Sequence, residues 1–154
     1  MHLRVICIGS RMPPWIKTGF EEYARRMPRE MPLSLHEIPA PKHRGDGRKS
    51  QQLEAERLLK LIQTGDCVIA LDERGESMSS AGLAKEMSFW RSAGRNVVFV
   101  VGGADGLADS VLTRADRRLS LSALTYPHYM VRVILAEALY RAWSIVSGHP
   151  YHRE

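Results

Sequence analysis

A histidine and an arginine near the start of the last predicted helix could do acid–base or charge-stabilising chemistry. His128 follows Pro127, and Arg132 lies one helical turn later on the same face. The free N–H groups and dipole of a helix start favour an anion or a ligand carboxylate, and they bias His128 toward its neutral form. Arg132 falls inside an apolar arc, where a cation needs a partner or a function. Its spacing leaves two interpretations open, an ion pair at a subunit interface or an active-site role.

The C-terminal residues 149–154 form a second chemically rich group, with two histidines, a tyrosine and an arginine in six positions. Tyr151 and His152 could stack on a nucleic-acid base, and Arg153 could hold a phosphate. The alternative is a frayed chain end without a role. A metal site is a weak alternative, because no cysteine or further histidine cluster has ligand spacing.

Three segments follow predicted strands, where open α/β sheets bind their ligands. Residues 71–75 carry an acidic pair like the one that binds ribose hydroxyls in dinucleotide-binding folds, although a solvated turn is the favoured interpretation. Residues 101–107 contain three glycines in five positions, without the spacing of a dinucleotide or phosphate loop, and modestly favour a ligand loop. Residues 121–128 mix apolar and hydroxyl side chains before the last helix.

The elements that must position these groups alternate between strand and helix along the chain. Strands are predicted at 3–8, 33–38, 67–71, 97–101 and 118–121. The first helix is predicted to begin at the Pro13-Pro14 pair, and the second to span 51–63. The third is predicted to run from a cap at Ser79 or Ser80 to Gly94, and two more lie near 107–115 and at 127–147. This order predicts an α/β domain with a mainly parallel sheet and flanking helices, spanning residues 1–154 as one domain. Residues 97–101 are purely apolar and therefore predict a central strand.

Composition excludes several classes of protein. Apolar residues make up 44% of the chain, which argues against global disorder, and no apolar run is long enough to span a bilayer. Cys7 and Cys67 lie in apolar runs and are expected to be reduced core thiols of a cytoplasmic protein. The net charge of +5 and the pI of about 9.5 favour a polyanionic partner.

Taken together, these segments resemble SPOUT-superfamily methyltransferases that methylate N3 of a pseudouridine in 23S rRNA. The resemblance covers essentially the whole chain and rests on residues 15–23, 101–103 with 106–107, 121–128, 131–133, 137–143 and 149–154. The combination of L-S-A-L-T-Y-P-H, Y-R-A-W and the terminal H-P-Y-H-R-E is highly specific. The loop at 39–49 departs most from the family pattern.

The resemblance implies a trefoil knot in the C-terminal half and an obligate homodimer with cofactor sites near its interface. The wide apolar arc of the last helix independently favours a dimer, because one neighbour rarely covers such an arc. The implied cofactor is S-adenosylmethionine, and the implied substrate is 23S rRNA within the large subunit or the assembled ribosome. On the family pattern, the cofactor pocket is lined by Leu71, Gly102, Leu121, Ser122, Ala123, Leu124, Thr125 and Tyr126.

The implied reaction requires the N3 proton of the base to leave as the nitrogen meets the methyl group in line. His128 and His152 are both candidate bases, and the sequence does not choose between them. Arg132 or Arg153 could stabilise the developing anion or hold a phosphate. Together with Tyr151, these are the candidate catalytic residues, and no metal is required.

Two other classes of function share the glycine segment and the basic charge. The first is a non-catalytic nucleotide- or RNA-binding module, and the second is a ribosome-associated structural factor. Binding of S-adenosylmethionine, measured against ATP and NAD, separates all three hypotheses.

Overall fold

The structure is a computed structural model that describes residues 1–42 and 47–153. Strands and helices alternate from the first element to the last, as the sequence predicts. The elements are β1 (Leu3–Ile8), α1 (Pro14–Ala24), β2 (Leu33–Ile38), α2 (Gly47–Lys60), β3 (Cys67–Ser77), α3 (Ser80–Ser92), β4 (Val97–Val101), α4 (Asp109–Arg114), β5 (Arg117–Ser120) and α5 (Met130–Ser147).

The five strands form one sheet in the order β2-β1-β4-β3-β5. Every neighbouring pair is parallel, so the prediction of a mainly parallel sheet is confirmed. All five residues of β4 are buried, and the strand lies in the middle of the sheet as its apolar composition predicts. Parallel pairing brings the carboxyl ends of all strands to one edge, where the loops that follow them meet.

Helices cover both faces of the sheet. Because side chains alternate along a strand, Val5 faces a core cluster that contains residues of α1, α3 and α5. Its neighbour Ile6 faces the opposite cluster, which contains Leu58 of α2 and Val111 of α4. The chain therefore forms three layers, with α5 on the larger of the two cores.

One predicted loop is part of a strand. The expectation that β3 ends at Leu71 and is followed by a solvated turn is wrong, since β3 continues to Ser77. Its pairing with β5 shifts register between Leu71 and Glu76, so residues 72–75 bulge out of the ladder before pairing resumes. Arg117 of β5 forms an ion pair with Glu76 beyond the bulge, which holds the extension against β5.

Two helices begin elsewhere than expected. Helix α2 starts at Gly47, inside the segment expected to be a polar loop, and residues 43–46 of that segment lie outside the described part of the chain. Helix α5 starts at Met130, so His128 lies in a turn before the helix and not in its first turn. Within residues 1–42 and 47–153, no helix is long and apolar enough to cross a membrane.

Both cysteines are buried and unpaired, as predicted. Burial raises the pKa of Cys7 to about 12, and burial also raises the pKa of Cys67. Neither thiol is a nucleophile at neutral pH, because the reactive species is the thiolate.

Substituting Gly75 should destabilise the fold through the β3–β5 contact. A Cβ at this position would lie 2.7 Å from the carbonyl carbon of Leu119, so β5 must shift. We expect Gly75→Ala to cost about 1–3 kcal/mol of unfolding free energy. Thermal unfolding measures it, with Gly65→Ala as the matched control because a Cβ there meets nothing within 4 Å. Equal melting temperatures for the two variants would show that the bulge has room for a side chain.

Candidate active site

A cavity of about 680 Å³ opens at the carboxyl edge of the sheet. It is bounded by the three segments singled out from the sequence: the β3 bulge, the loop after β4 and the loop after β5. Seven of the eight residues predicted to bind cofactor line it, namely Leu71, Gly102, Leu121, Ser122, Leu124, Thr125 and Tyr126. Ala123 is not among the lining residues, and its side chain is exposed.

The loop after β4, residues 102–106, turns sharply on itself; we call it the glycine loop. The Gly106 N–H donates to the Gly103 carbonyl over 3.1 Å, and Gly106 has a φ of +76°. A Cβ at Gly102 would lie 2.8 Å from the carbonyl of Gly106. Sequence reasoning expected Gly102 to permit close approach of a ligand, whereas the structure shows close approach of the loop to its own backbone.

The loop after β5 is shaped by hydroxyl groups. The Ser122 hydroxyl accepts from the Leu124 N–H at 2.9 Å, and the Ser120 hydroxyl donates to the Ser122 carbonyl at 3.1 Å. Leu124 is 71% exposed while lining the cavity. A large apolar side chain held there offers a contact surface for the flat apolar part of a ligand.

His128 lines the cavity and is held by one ring nitrogen. Its Nε2 lies 2.6 Å from the carbonyl oxygen of Ile8 at the end of β1. Because a carbonyl only accepts, Nε2 carries the proton, and the neutral ring keeps Nδ1 as its single acceptor. His128 can therefore take up a proton only through Nδ1.

Arg132 is fully buried and is not among the cavity-lining residues. Its Nη1 donates to Glu37 of β2 at 2.9 Å, and its Nη2 donates to the Gly9 carbonyl at 2.7 Å. Its guanidinium also lies 4.8 Å from the centre of the Tyr129 ring. The carboxylate partner thus belongs to the same chain, which differs from the interface pair that was one of the two interpretations of this residue. None of the described residues accepts a hydrogen bond from the Nε of Arg132.

Sequence reasoning missed Glu37 as the partner of Arg132. The available signal was a charged residue at the carboxyl end of a strand, one position before a buried isoleucine. Gly9 lies against the side chains of Tyr129, His128 and Arg132. Its φ is +110°, and a Cβ at this position would lie within 3.6 Å of atoms of all three side chains. The start of α5 is therefore fastened to the ends of β1 and β2.

The tail packs against α5, away from the cavity. The Tyr151 hydroxyl donates to Glu137 at 3.0 Å, and its ring centre lies 4.7 Å from that of Tyr140. Burial, with hydrogen bonds to Tyr23 and Glu137, raises the pKa of Tyr151. Tyr140 follows Val131, the cavity-lining residue of α5, by nine positions, or about 14 Å of helix at ~1.5 Å per residue.

The other tail residues are also outside the cavity lining. His152 has a buried Nδ1 without a partner among the described residues, and Arg153 is exposed. Glu154 lies outside the described part of the chain. Within one chain, the structure brings His128 to the predicted cofactor residues and does not bring Tyr151, His152 or Arg153 to them.

Comparison with known proteins identifies the family of the chain. A family model described as a predicted SPOUT methyltransferase matches residues 1–152. The chain belongs to the SPOUT methyltransferase family. Among its relatives are proteins named ribosomal RNA large subunit methyltransferase H. The one from Hahella chejuensis is 48% identical and the one from Thioalkalivibrio sulfidiphilus 47%, each over 100% of both chains.

A solved structure shows the same fold at much lower sequence similarity. It is a probable methylase family protein from Haemophilus influenzae, with a TM-score of 0.59 and 16% identity over 99% of this chain and 70% of that chain. Methyltransferases of this family use S-adenosylmethionine as methyl donor. The cavity fits such a ligand, because it combines the apolar Leu124 with hydroxyl and carboxylate groups at Ser122, Thr125 and Asp105.

Removing the Arg132 charge should destabilise the fold by leaving Glu37 and the Gly9 carbonyl without their donor. We expect Arg132→Met to cost about 2–3 kcal/mol, less than a fully buried pair because Glu37 retains contact with solvent. Urea unfolding measures the loss. Lys17→Met is the matched control, since the Lys17–Glu21 pair is exposed on both sides and should leave the midpoint unchanged. Equal midpoints for both variants would contradict the anchoring role of Arg132.

Proposed function

We propose that this protein transfers a methyl group from S-adenosylmethionine to N3 of a pseudouridine in 23S rRNA, acting in the cytoplasm as one domain of residues 1–154. The observation that carries the proposal is the full-length similarity, at 47–48% identity, to proteins named for methylation of large-subunit ribosomal RNA. The base and the atom come from the resemblance of the sequence motifs. The family and the cavity at the carboxyl edge support the same class of reaction.

The proposed cofactor contacts are Leu71, Gly102 and the loop of Leu121, Ser122, Ala123, Leu124, Thr125 and Tyr126. All of these except Ala123 line the cavity, which supports the assignment. Bound S-adenosylmethionine supplies a sulfonium methyl group that an in-line nucleophile can take. The chain's own task is to hold the base in line with that methyl group and to accept its N3 proton.

Two residues stay candidates for the proton acceptor. His128 is favoured by its position, since it lines the cavity and keeps Nδ1 as an acceptor. His152 of the tail is the alternative, with Tyr151 and Arg153 as proposed base and phosphate contacts. Arg132 is too enclosed to reach the base, so we propose that it acts by holding the end of the 121–128 loop in place.

We also propose a homodimer formed through α5. Ile134, Ala138 and Ile145 form a half-buried apolar stripe on one side of this helix, at a spacing that a symmetric neighbour can cover. Antiparallel pairing of two α5 helices places the C-terminal end of one beside the N-terminal end of the other. The tail of each subunit would then meet the cavity of its partner, which it does not reach in its own chain.

The trefoil knot is the remaining proposal about the fold. From β5 at the sheet edge, the chain must pass the ends of β3 and β4 to bring His128 to Ile8 of β1. This passage across two strand ends, followed by the packing of α5 against α1 and α3, supports the proposed knot.

The proposed reaction can be tested on ribosomes from a strain that lacks this protein. Purified protein with S-adenosylmethionine should add one methyl group, and mass spectrometry of rRNA fragments should place it on a pseudouridine. Ribosomes from the parent strain are the control and should accept none, because their site is already modified. Tight binding of rRNA without methyl transfer would support a binding module and overturn the proposed function.

The tail proposal can be tested by mixing two inactive subunits. Deletion of residues 151–154 should abolish activity and leave the cavity intact, whereas Gly102→Val should disable the glycine loop and leave the tail intact. Co-expressed heterodimers should recover activity, because the intact cavity then meets the intact tail. Light scattering should give a mass near twice 17.4 kDa for each sample.

Inactive heterodimers that are confirmed dimeric would show that the tail works within its own chain. Full activity of the tail-deleted homodimer would remove the tail from the mechanism.

A further inference from the structure

A buried carboxylate lies behind the glycine loop. Glu54 belongs to α2 and is only 8% exposed, although carboxylates are rarely buried without a partner. A Cβ at Gly103 would lie 2.6 Å from its Oε1 and 3.1 Å from its Oε2. The carboxylate therefore occupies the space that a side chain at Gly103 would need, directly against the backbone of the loop.

The surroundings of Glu54 act on its pKa in opposite directions, and burial has the largest effect. Burial raises its pKa, and the hydrogen bond from the Gly103 N–H lowers it. Asp105 raises the pKa further, and Arg57 lowers it. Since a buried acceptor without a donor is unfavourable, the Gly103 N–H and the Glu54 carboxylate each satisfy the other.

A second contact from the same helix reaches the other side of the loop. Gln51 lies one turn before Glu54, and its Nε2 donates to the Asp105 carbonyl at 2.8 Å. Gln51 also lines the cavity. Helix α2 thus holds the loop at Gly103 and at Asp105, on either side of Ala104.

We propose that Glu54 is a positioning residue that, with Gln51, fixes the glycine loop in its ligand-binding shape before S-adenosylmethionine arrives. Glycine-rich backbone loses much conformational freedom on ordering, so a loop fixed in advance binds its ligand at a smaller entropic cost. Glu54 acts through the backbone of Gly103 and touches neither cofactor nor RNA. The inference rests on the proposed function, because it takes the glycine loop as part of the cofactor site.

The test compares three single variants of the full-length protein. Glu54→Ala removes the acceptor and should raise the Kd for S-adenosylmethionine about tenfold or more. Glu54→Gln keeps an amide oxygen for the Gly103 N–H and should recover most of that loss. Glu56→Ala is the matched control, because Glu56 is an exposed residue of the same helix and should bind the cofactor like the parent protein.

Kinetics separate positioning from a general loss of stability. In Glu54→Ala, the KM for S-adenosylmethionine should rise while kcat at saturating cofactor stays near the parent value. If Glu54→Ala does not fold, Gln51→Ala tests the other contact between α2 and the glycine loop, from a partly exposed position. This variant should raise the Kd for S-adenosylmethionine several-fold. A parent-like Kd in Glu54→Ala, or in Gln51→Ala where the first variant does not fold, overturns the inference.

Hydrogen exchange of the parent protein distinguishes this failure from failure of the proposed function. S-adenosylmethionine should slow amide exchange in residues 102–106. Absence of any protection there would remove the glycine loop from the cofactor site and the inference with it. Protection of the loop together with a parent-like Kd in the folded Glu54→Ala variant would refute the role of Glu54 alone.

Discussion

The arrangement of the candidate site depends on the contact between Arg132 and the ends of the first two strands. Arg132 donates to Glu37 of β2 and to Gly9 after β1, and neighbouring His128 donates to Ile8. These bonds hold the beginning of α5 at one side of the sheet, although the preceding strand, β5, lies at the opposite edge. The segment 121–128 must therefore span the carboxyl edge, and that span forms one wall of the cavity.

The other walls of the cavity are positioned by the parallel pairing of the strands and by contacts from α2. Parallel strands bring the ends of β3 and β4 to the same edge, so the bulge after Leu71 and the glycine loop face the 121–128 segment. Helix α2 supports the glycine loop from outside through Glu54 and Gln51. The backbone that lines this side of the cavity is thus held in shape by polar contacts from α2.

The sequence predicted the parts of the fold that local pattern determines. Strands β1, β2 and β4 have the predicted bounds because runs of β-branched and apolar residues mark buried strands. The predicted end of β3 at Leu71 was wrong, because acidic residues and Gly75 are typical of a turn, and only pairing with β5 shows that the strand continues. Seven of the eight predicted cofactor positions line the cavity, because the motifs follow strand ends. Glu37 and Glu54 were missed, since their partners lie 95 and 49 positions away and no local pattern connects them.

The same strand order has a consequence for synthesis of the chain. β1 lies between β2 and β4 in the sheet, and β4 begins only at Val97. Until then the nascent chain carries an open, apolar strand edge, which is the kind of surface that chaperones recognise and that drives aggregation. Arg132 contacts Glu37 only after α5 is made, because α5 follows all five strands in the sequence. Termination between β5 and α5 would leave all five strands of the sheet without the Arg132 contacts that hold its carboxyl edge.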